Sequence, residues 1–162
     1  MSTSTVPLPS AADRADRLVI LGVAASDSHA VANHLIAIAL RAEGFTVVNL
    51  GTCTPVAEFA DAVQRHPQAE AVIIGSLNGQ IHADLHDLAE AKREGLIHCP
   101  VVVGGNLSVG SSKHESSTTR LYELGVDHVL AAPAQLVPLL DRLSTDAADR
   151  APARPQAAAA AR

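Results

Sequence analysis

Aromatic residues are almost missing from this chain. It has no tryptophan, and Phe45, Phe59 and Tyr122 are the only aromatic side chains in 162 residues. Basic runs are missing too, and the formal net charge is −5. Nucleic-acid binding usually combines a basic stripe with stacking aromatics, so that class of function is not expected. Cysteine is scarce: Cys53 and Cys99 stand far apart with no CxxC spacing. A disulfide framework or a finger-type zinc site is therefore not expected, and the pair suits a reducing compartment. Long apolar runs are absent as well. The longest early one, Leu18 to Ala25, is far too short to span a bilayer. The first sixteen residues lack an apolar block behind a basic start, so no secretory signal is read there. These features predict a cytoplasmic protein with no membrane partner.

What is abundant is Ala, Val, Leu and Ile, which suits helices packed on a buried parallel sheet. The polar, Pro-containing start predicts a disordered leader over 1–16. The Ala-rich end predicts a disordered low-complexity tail over 144–162, leaving a folded unit at 17–143. Within that unit, strand and helix patterns alternate. Strands are predicted at Arg17–Ala24, Phe45–Leu50, Glu70–Gly75, Pro100–Gly104 and Asp127–Ala131. Helices are predicted at His29–Glu43, from Pro55 to about His66 with Thr54 as cap, at Ile81–Glu94, at Ser116–Leu124 and at Pro133–Leu143. Five such units predict an α/β, flavodoxin-like (Rossmann-like) three-layer sandwich. Its parallel five-stranded sheet takes the order 2-1-3-4-5. That topology puts a ligand beyond the carboxyl ends of the strands, near the switch point between the first and third.

Three segments fall at that edge. The first is Ser26-Asp27-Ser28-His29-Ala30-Val31-Ala32. An imidazole at a strand end can reach outward, and a carboxylate two residues away can accept its other N–H and make it a better metal ligand. The same residues also fit an ordinary helix start, with Asp27 or Ser28 as cap and His29 solvated. The second segment is Gly75-Ser76-Leu77-Asn78-Gly79-Gln80, and the third is Gly104-Gly105-Asn106. Glycines there allow close approach of a ligand or serve as plain turn residues. His82 and His86 stand i, i+4 on a predicted helix, and a solvated face is the favoured reading, since no third ligand is evident. Cys53 and Cys99 are read as small buried residues.

The stretches LGVAASDSHAVANHLI, GFTVVNLGTCTP, IIGSLNGQ and VVVGGNLSVG together resemble the small (sigma) subunit of glutamate mutase, a base-off, histidine-on cobalamin-binding domain. The likeness runs from about residue 18 to 140. The resemblance implies adenosylcobalamin as cofactor, with His29 as axial cobalt ligand in place of the cofactor's own base and Asp27 orienting it. It implies that Gly104 and Gly105 let the displaced nucleotide tail pass against the sheet. It further implies a large barrel-type catalytic subunit, two of each in a heterotetramer, and interconversion of L-glutamate and threo-3-methylaspartate, with no catalytic residue in this subunit. Two positions depart from the family pattern: Ala32 stands where a glycine is usual, and Gly75 where a serine hydroxyl would meet the benzimidazole nitrogen. The alternative from another class is a stand-alone cobalamin-binding carrier or sensor. A phospho-receiver shares the fold, but the third strand ends in Gly75, Ser76 and Leu77 rather than a phospho-accepting Asp.

Overall fold

A computed structural model describes residues 7–106 and 114–151. Five parallel strands form one sheet in the order β2-β1-β3-β4-β5, as expected from the alternating pattern. They are β1 (Leu18–Val23), β2 (Thr46–Asn49), β3 (Ala71–Ser76), β4 (Val101–Gly105) and β5 (His128–Leu130). The helices are α1 (Ala30–Ala42), α2 (Val56–Arg65), α3 (Ile81–Asp84), α4 (Leu88–Arg93), α5 (His114–Glu123) and α6 (Leu136–Arg150).

All six residues of β1 are buried. A central parallel strand is covered on both faces, so it reads as an unbroken apolar run. Alternate residues then serve two cores. Ile20, Val72, Ile74 and Val103 pack with Phe59 and Val63 of α2, Leu88 of α4 and Leu121 of α5. Val19, Leu21, Ile73 and Val102 pack with Ala37 and Leu40 of α1 and with Leu136, Leu139 and Leu140 of α6. The register pairs Val23 with Gly75 and Gly75 with Gly104. Three strand ends therefore finish at one level, and the loops that follow them meet.

Several local expectations are corrected. The helix read over Ile81–Glu94 is two short helices separated by a turn at Leu85–Asp87. The apolar stripe that suggested one helix survives, since Ile81, Leu85 and Leu88 are all buried. The chain bends just after Asp84, whose carboxylate is held by the N–H and hydroxyl of Ser26. Thr54 does not cap α2: its hydroxyl donates to the carbonyls of Gly51 and Thr52, and Pro55 precedes the helix without a side-chain cap.

Order also extends past both expected boundaries of the folded unit. A 3-10 turn, Ala12–Arg14, docks beneath the sheet, and the Ala11 carbonyl occupies the space where a side chain on Gly44 would stand. Arg14 is buried and grips Asp141 of α6 through Nη2–Oδ2 at 2.8 Å, and Glu43 through Nη1–Oε2 at 2.9 Å. Arg17 reaches the same Asp141 at 2.8 Å and Glu70 at 2.8 Å. Both guanidinium groups lie over the Phe45 ring, at 5.7 and 4.9 Å from its centre. Hydrogen bonds from Arg14, and also from Arg17, hold the Asp141 carboxyl below its usual range against the opposing effect of burial. Helix α6 continues to Arg150, so the segment read as tail from 144 begins as helix. Residues 1–6 and 152–162 lie outside the described residues.

Among the described residues, no helix is long and apolar enough to cross a membrane.

Candidate functional site

The site is built where β1, β3 and β4 end. Asp27 sits in the loop after β1, 1% exposed. A buried carboxylate must have its oxygens filled by donors, and this one has four hydrogen bonds. Oδ2 accepts the N–H groups of Leu77 (2.5 Å) and Asn78 (3.2 Å) from the loop after β3. Oδ1 accepts the His29 backbone N–H at 2.9 Å and contacts the ring Nδ1 at 2.6 Å. Burial pushes this carboxyl up, but the Leu77 and His29 N–H groups and the His29 ring outweigh it and hold it below the usual carboxylate range. The Asp27 bonds therefore go to the third-strand loop and to His29 rather than to the first turn of α1, so Asp27 does not cap that helix.

His29 precedes α1 in extended conformation and makes no side-chain cap. Its side chain is 58% exposed although its partner is fully buried. A neutral imidazole that donates from Nδ1 to a carboxylate carries its lone pair on Nε2, which is the form a metal ion takes. The loop thus presents one fixed imidazole nitrogen to the outside of the sheet edge.

Beside it opens a cavity of about 300 Å³, within the size range of small-molecule and cofactor pockets. One wall is α1, with Ala32, Asn33 and Ile36. The floor is the sheet, with Leu21, Val23, Ile73, Gly75 and Gly104. The far wall is the segment after β5, from Leu130 through Pro133 to Leu136. A methyl group on Gly75 would find only the Gly22 carbonyl oxygen, 3.9 Å away, and one on Gly104 only the Leu130 side chain at 3.7 Å. The protein's own packing does not demand glycine at either place, so what the two missing side chains leave free is the floor of the slot. Gly105 is different. Its φ is +117°, and a Cβ there would lie 2.2 Å from the Ser76 carbonyl oxygen, so the backbone itself requires glycine.

Of the residues singled out from sequence, His29, Ala32, Gly75, Ser76, Leu77, Gly104 and Gly105 line this cavity, and Asp27 lies directly behind it. The Ser76 hydroxyl contacts Asn78 Oδ1 at 3.4 Å, so it does not replace the hydroxyl missing at Gly75. Ser26, Ser28, Ala30, Val31, Gly79, Gln80 and Asn106 do not line it. Ser26 is a strut, bonded to Asp84 and to the Asn78 side chain, and Val31 points to solvent on the outer side of α1. Leu107 to Gly110 of the fourth-strand motif fall outside the described residues. Sequence reasoning missed Asn33, Ile36 and the whole wall after β5. A signal existed for Asn33, which follows His29 by four residues and so shares its helix face.

The weaker candidates separate from the site. His82 Nε2 lies 2.9 Å from the Ser117 carbonyl oxygen, and His86 Nδ1 lies 2.8 Å from that of Ala83. No group of His, Cys, Asp and Glu able to hold a metal ion occurs among the described residues. Cys99 is buried, and burial pushes its thiol up to about 11. Cys53 corrects its reading as a buried residue: it is exposed, in a turn with φ +52°, its N–H donating to the Asp27 carbonyl.

Residues 17–136 match the B12 binding domain family. The chain is 39% identical over 131 residues to the glutamate mutase sigma subunit of Halobacterium salinarum, covering 81% of this chain and 87% of that one. The chain belongs to the glutamate mutase sigma subunit family. The Treponema denticola sigma subunit is 34% identical, with 82% of this chain and 96% of that one covered. Among solved structures, a cobalamin-binding protein from Desulfitobacterium hafniense superposes with a TM-score of 0.65 at 21% identity, over 80% of this chain and 60% of that one. The monomethylamine corrinoid protein of Methanosarcina barkeri gives 0.63 at 20%, over 78% of this chain and 57% of that one. These two likenesses bear on the fold alone. Within the sigma family, this member's site fits cobalamin on its own geometry, with a free imidazole nitrogen at the mouth of a slot whose floor is two glycines.

Proposed function

We propose that this chain is the cofactor-carrying small subunit of a glutamate mutase and that it binds adenosylcobalamin with His29 as the lower cobalt ligand. The observation that carries the reading is the pairing of His29 with Asp27 at the mouth of the slot. In this reading Asp27 fixes the ring so that Nε2 faces the corrin, and the slot between α1, the sheet and the start of α6 takes the displaced nucleotide tail over Gly75 and Gly104. Held in this way, adenosylcobalamin would supply the radical chemistry of its cobalt–carbon bond, while this chain would supply ligation and position.

This chain's residues bind and orient; they do not enclose a substrate. The His29 side chain is 58% exposed, so a corrin held by it would turn its upper face away from this chain. A radical reaction needs a chamber closed to water, and that closure requires a second, larger surface. We assign it to a barrel-type catalytic subunit that holds L-glutamate and forms threo-3-methylaspartate, two of each subunit assembling in the cytoplasm.

The test is the absorption spectrum of the purified chain with added cobalamin. A spectrum of histidine-ligated, base-off cobalamin is expected from the wild type and its loss from His29→Ala. A spectrum indifferent to that substitution would remove the assignment. Mutase activity is expected only after a large glutamate mutase subunit is added.

A further inference from the structure

Asn33 is 4% exposed and lines the slot one helical turn beyond His29. Its side-chain orientation is set by a chain of donors. Asn49 Oδ1 accepts the backbone N–H of Gly51 at 2.9 Å. A backbone N–H can only donate, so the Asn49 atom facing it is the oxygen. That same oxygen lies 2.8 Å from Asn33 Nδ2, which must then be the amide nitrogen of Asn33. The oxygen of Asn33 is left over. Among the described residues, Asn33 Oδ1 is the one buried side-chain oxygen or nitrogen atom without a hydrogen-bond partner. A buried acceptor left unmet is costly, and nearly all such groups in proteins find a donor. The cavity that Asn33 lines is walled largely by apolar side chains such as Leu21, Ile36, Ile73 and Leu136, which have no donor to give.

The inference rests on the reading of the slot as the place of the nucleotide tail. In that tail the benzimidazole nitrogen and the ionised phosphodiester are acceptors, and the ribose hydroxyls are the donors. We infer that Asn33 Oδ1 accepts a hydrogen bond from a ribose hydroxyl of the displaced tail and so positions the tail in the slot. With Gly75 in place of the serine expected from the family pattern, the polar contact on the sheet side is missing, and Asn33 supplies one from the helix side. Asn33 is then a positioning residue that distinguishes a complete cobalamin from a corrinoid without its nucleotide.

The experiment is a titration of the full chain with hydroxocobalamin and with cobinamide, which keeps the corrin and lacks the ribose, phosphate and base. For Asn33→Leu and Asn33→Ala, with folding checked by thermal unfolding, cobalamin affinity is expected to fall about five- to tenfold, the size of one ordinary hydrogen bond. Cobinamide affinity is expected to stay within about twofold of wild type on the same scale. Equal losses for both ligands, or no loss for cobalamin, would overturn the inference. A second arm leaves the protein unchanged: a cobalamin analogue lacking the ribose hydroxyls should bind wild type more weakly by a similar factor, and equal binding would overturn it. A wild-type chain without the His29-dependent spectrum overturns the proposed function and this inference together. A wild type with that spectrum and variants without discrimination overturns this inference alone.

Discussion

One carboxylate joins the two halves of the site: Asp27 Oδ1 lies 2.6 Å from the ring Nδ1 of His29, while its Oδ2 takes the N–H of Leu77 fifty residues away. The ring is therefore positioned by the loop after β3 as much as by its own loop. The same bonds that fix the imidazole also tie the loop after β1 to the loop after β3, so ring orientation and local order are coupled through a single side chain.

Asp27→Asn keeps the shape of that side chain and removes its charge. Partners of this kind behind a metal-ligating histidine are typically worth about 10- to 100-fold in affinity, and a loss of that size in cobalamin titration is expected. Affinity within twofold of wild type would mean that the ring holds its orientation without the carboxylate.

The paired glycines of β4 are expected to respond in opposite ways. Gly104→Ala places a methyl group in the slot without a clash, at an ordinary backbone angle. It should leave the fold intact, or stabilise it by about 0.5 kcal/mol by restricting the unfolded chain, while weakening cobalamin binding. Gly105→Ala forces a side chain onto the Ser76 carbonyl at φ +117° and should cost at least about 2 kcal/mol in denaturant unfolding, with or without cofactor. Similar unfolding midpoints for the two variants would contradict this division of roles.

Gly75→Ser restores a hydroxyl on the slot floor, where there is room for it. One hydrogen bond to the benzimidazole nitrogen is worth about 1 kcal/mol, so cobalamin should bind about fivefold more tightly. If the variant binds no tighter than wild type, the departure at this position has no bearing on affinity.

At the opposite end of the sheet, Asp141 is gripped by Arg14 and Arg17 and its carboxyl is held below the usual range. The unfolded chain releases Asp141 to its ordinary value near 4. The stabilisation is thus fully present above that value and is lost as pH falls from there through the lower folded value. Asp141→Ala leaves two largely buried guanidinium groups without this partner and should cost about 3 kcal/mol at neutral pH. Denaturant unfolding at pH 7 and below pH 4 checks both statements: the gap between variant and wild type should shrink in acid. A gap independent of pH would assign the loss to packing instead.

The sheet order and most elements were legible because a doubly covered parallel sheet writes itself as short apolar runs, of which Leu18–Val23 is the clearest. His29 and Asp27 were legible because two residues of fixed chemistry stand at a strand end. The break after Asp84 was not legible, because Ile81, Leu85 and Leu88 keep a helical stripe across a turn. The docking of the leader was hidden too: Arg14 is an unremarkable charge until Asp141 and Glu43, remote in sequence, surround it.

By itself, then, the sequence determined the α/β alternation, the edge of the sheet where a ligand can sit, and the imidazole presented there. These follow from local periodicity and from the chemistry of neighbouring residues. Only the tertiary structure decided that Gly75 and Gly104 are the floor of a slot while Gly105 is a backbone necessity, and that Asn33 keeps an unmet oxygen beside them. Both depend on which atoms arrive from distant segments, and no local pattern encodes the distance between a Cβ position and a carbonyl carried by another strand.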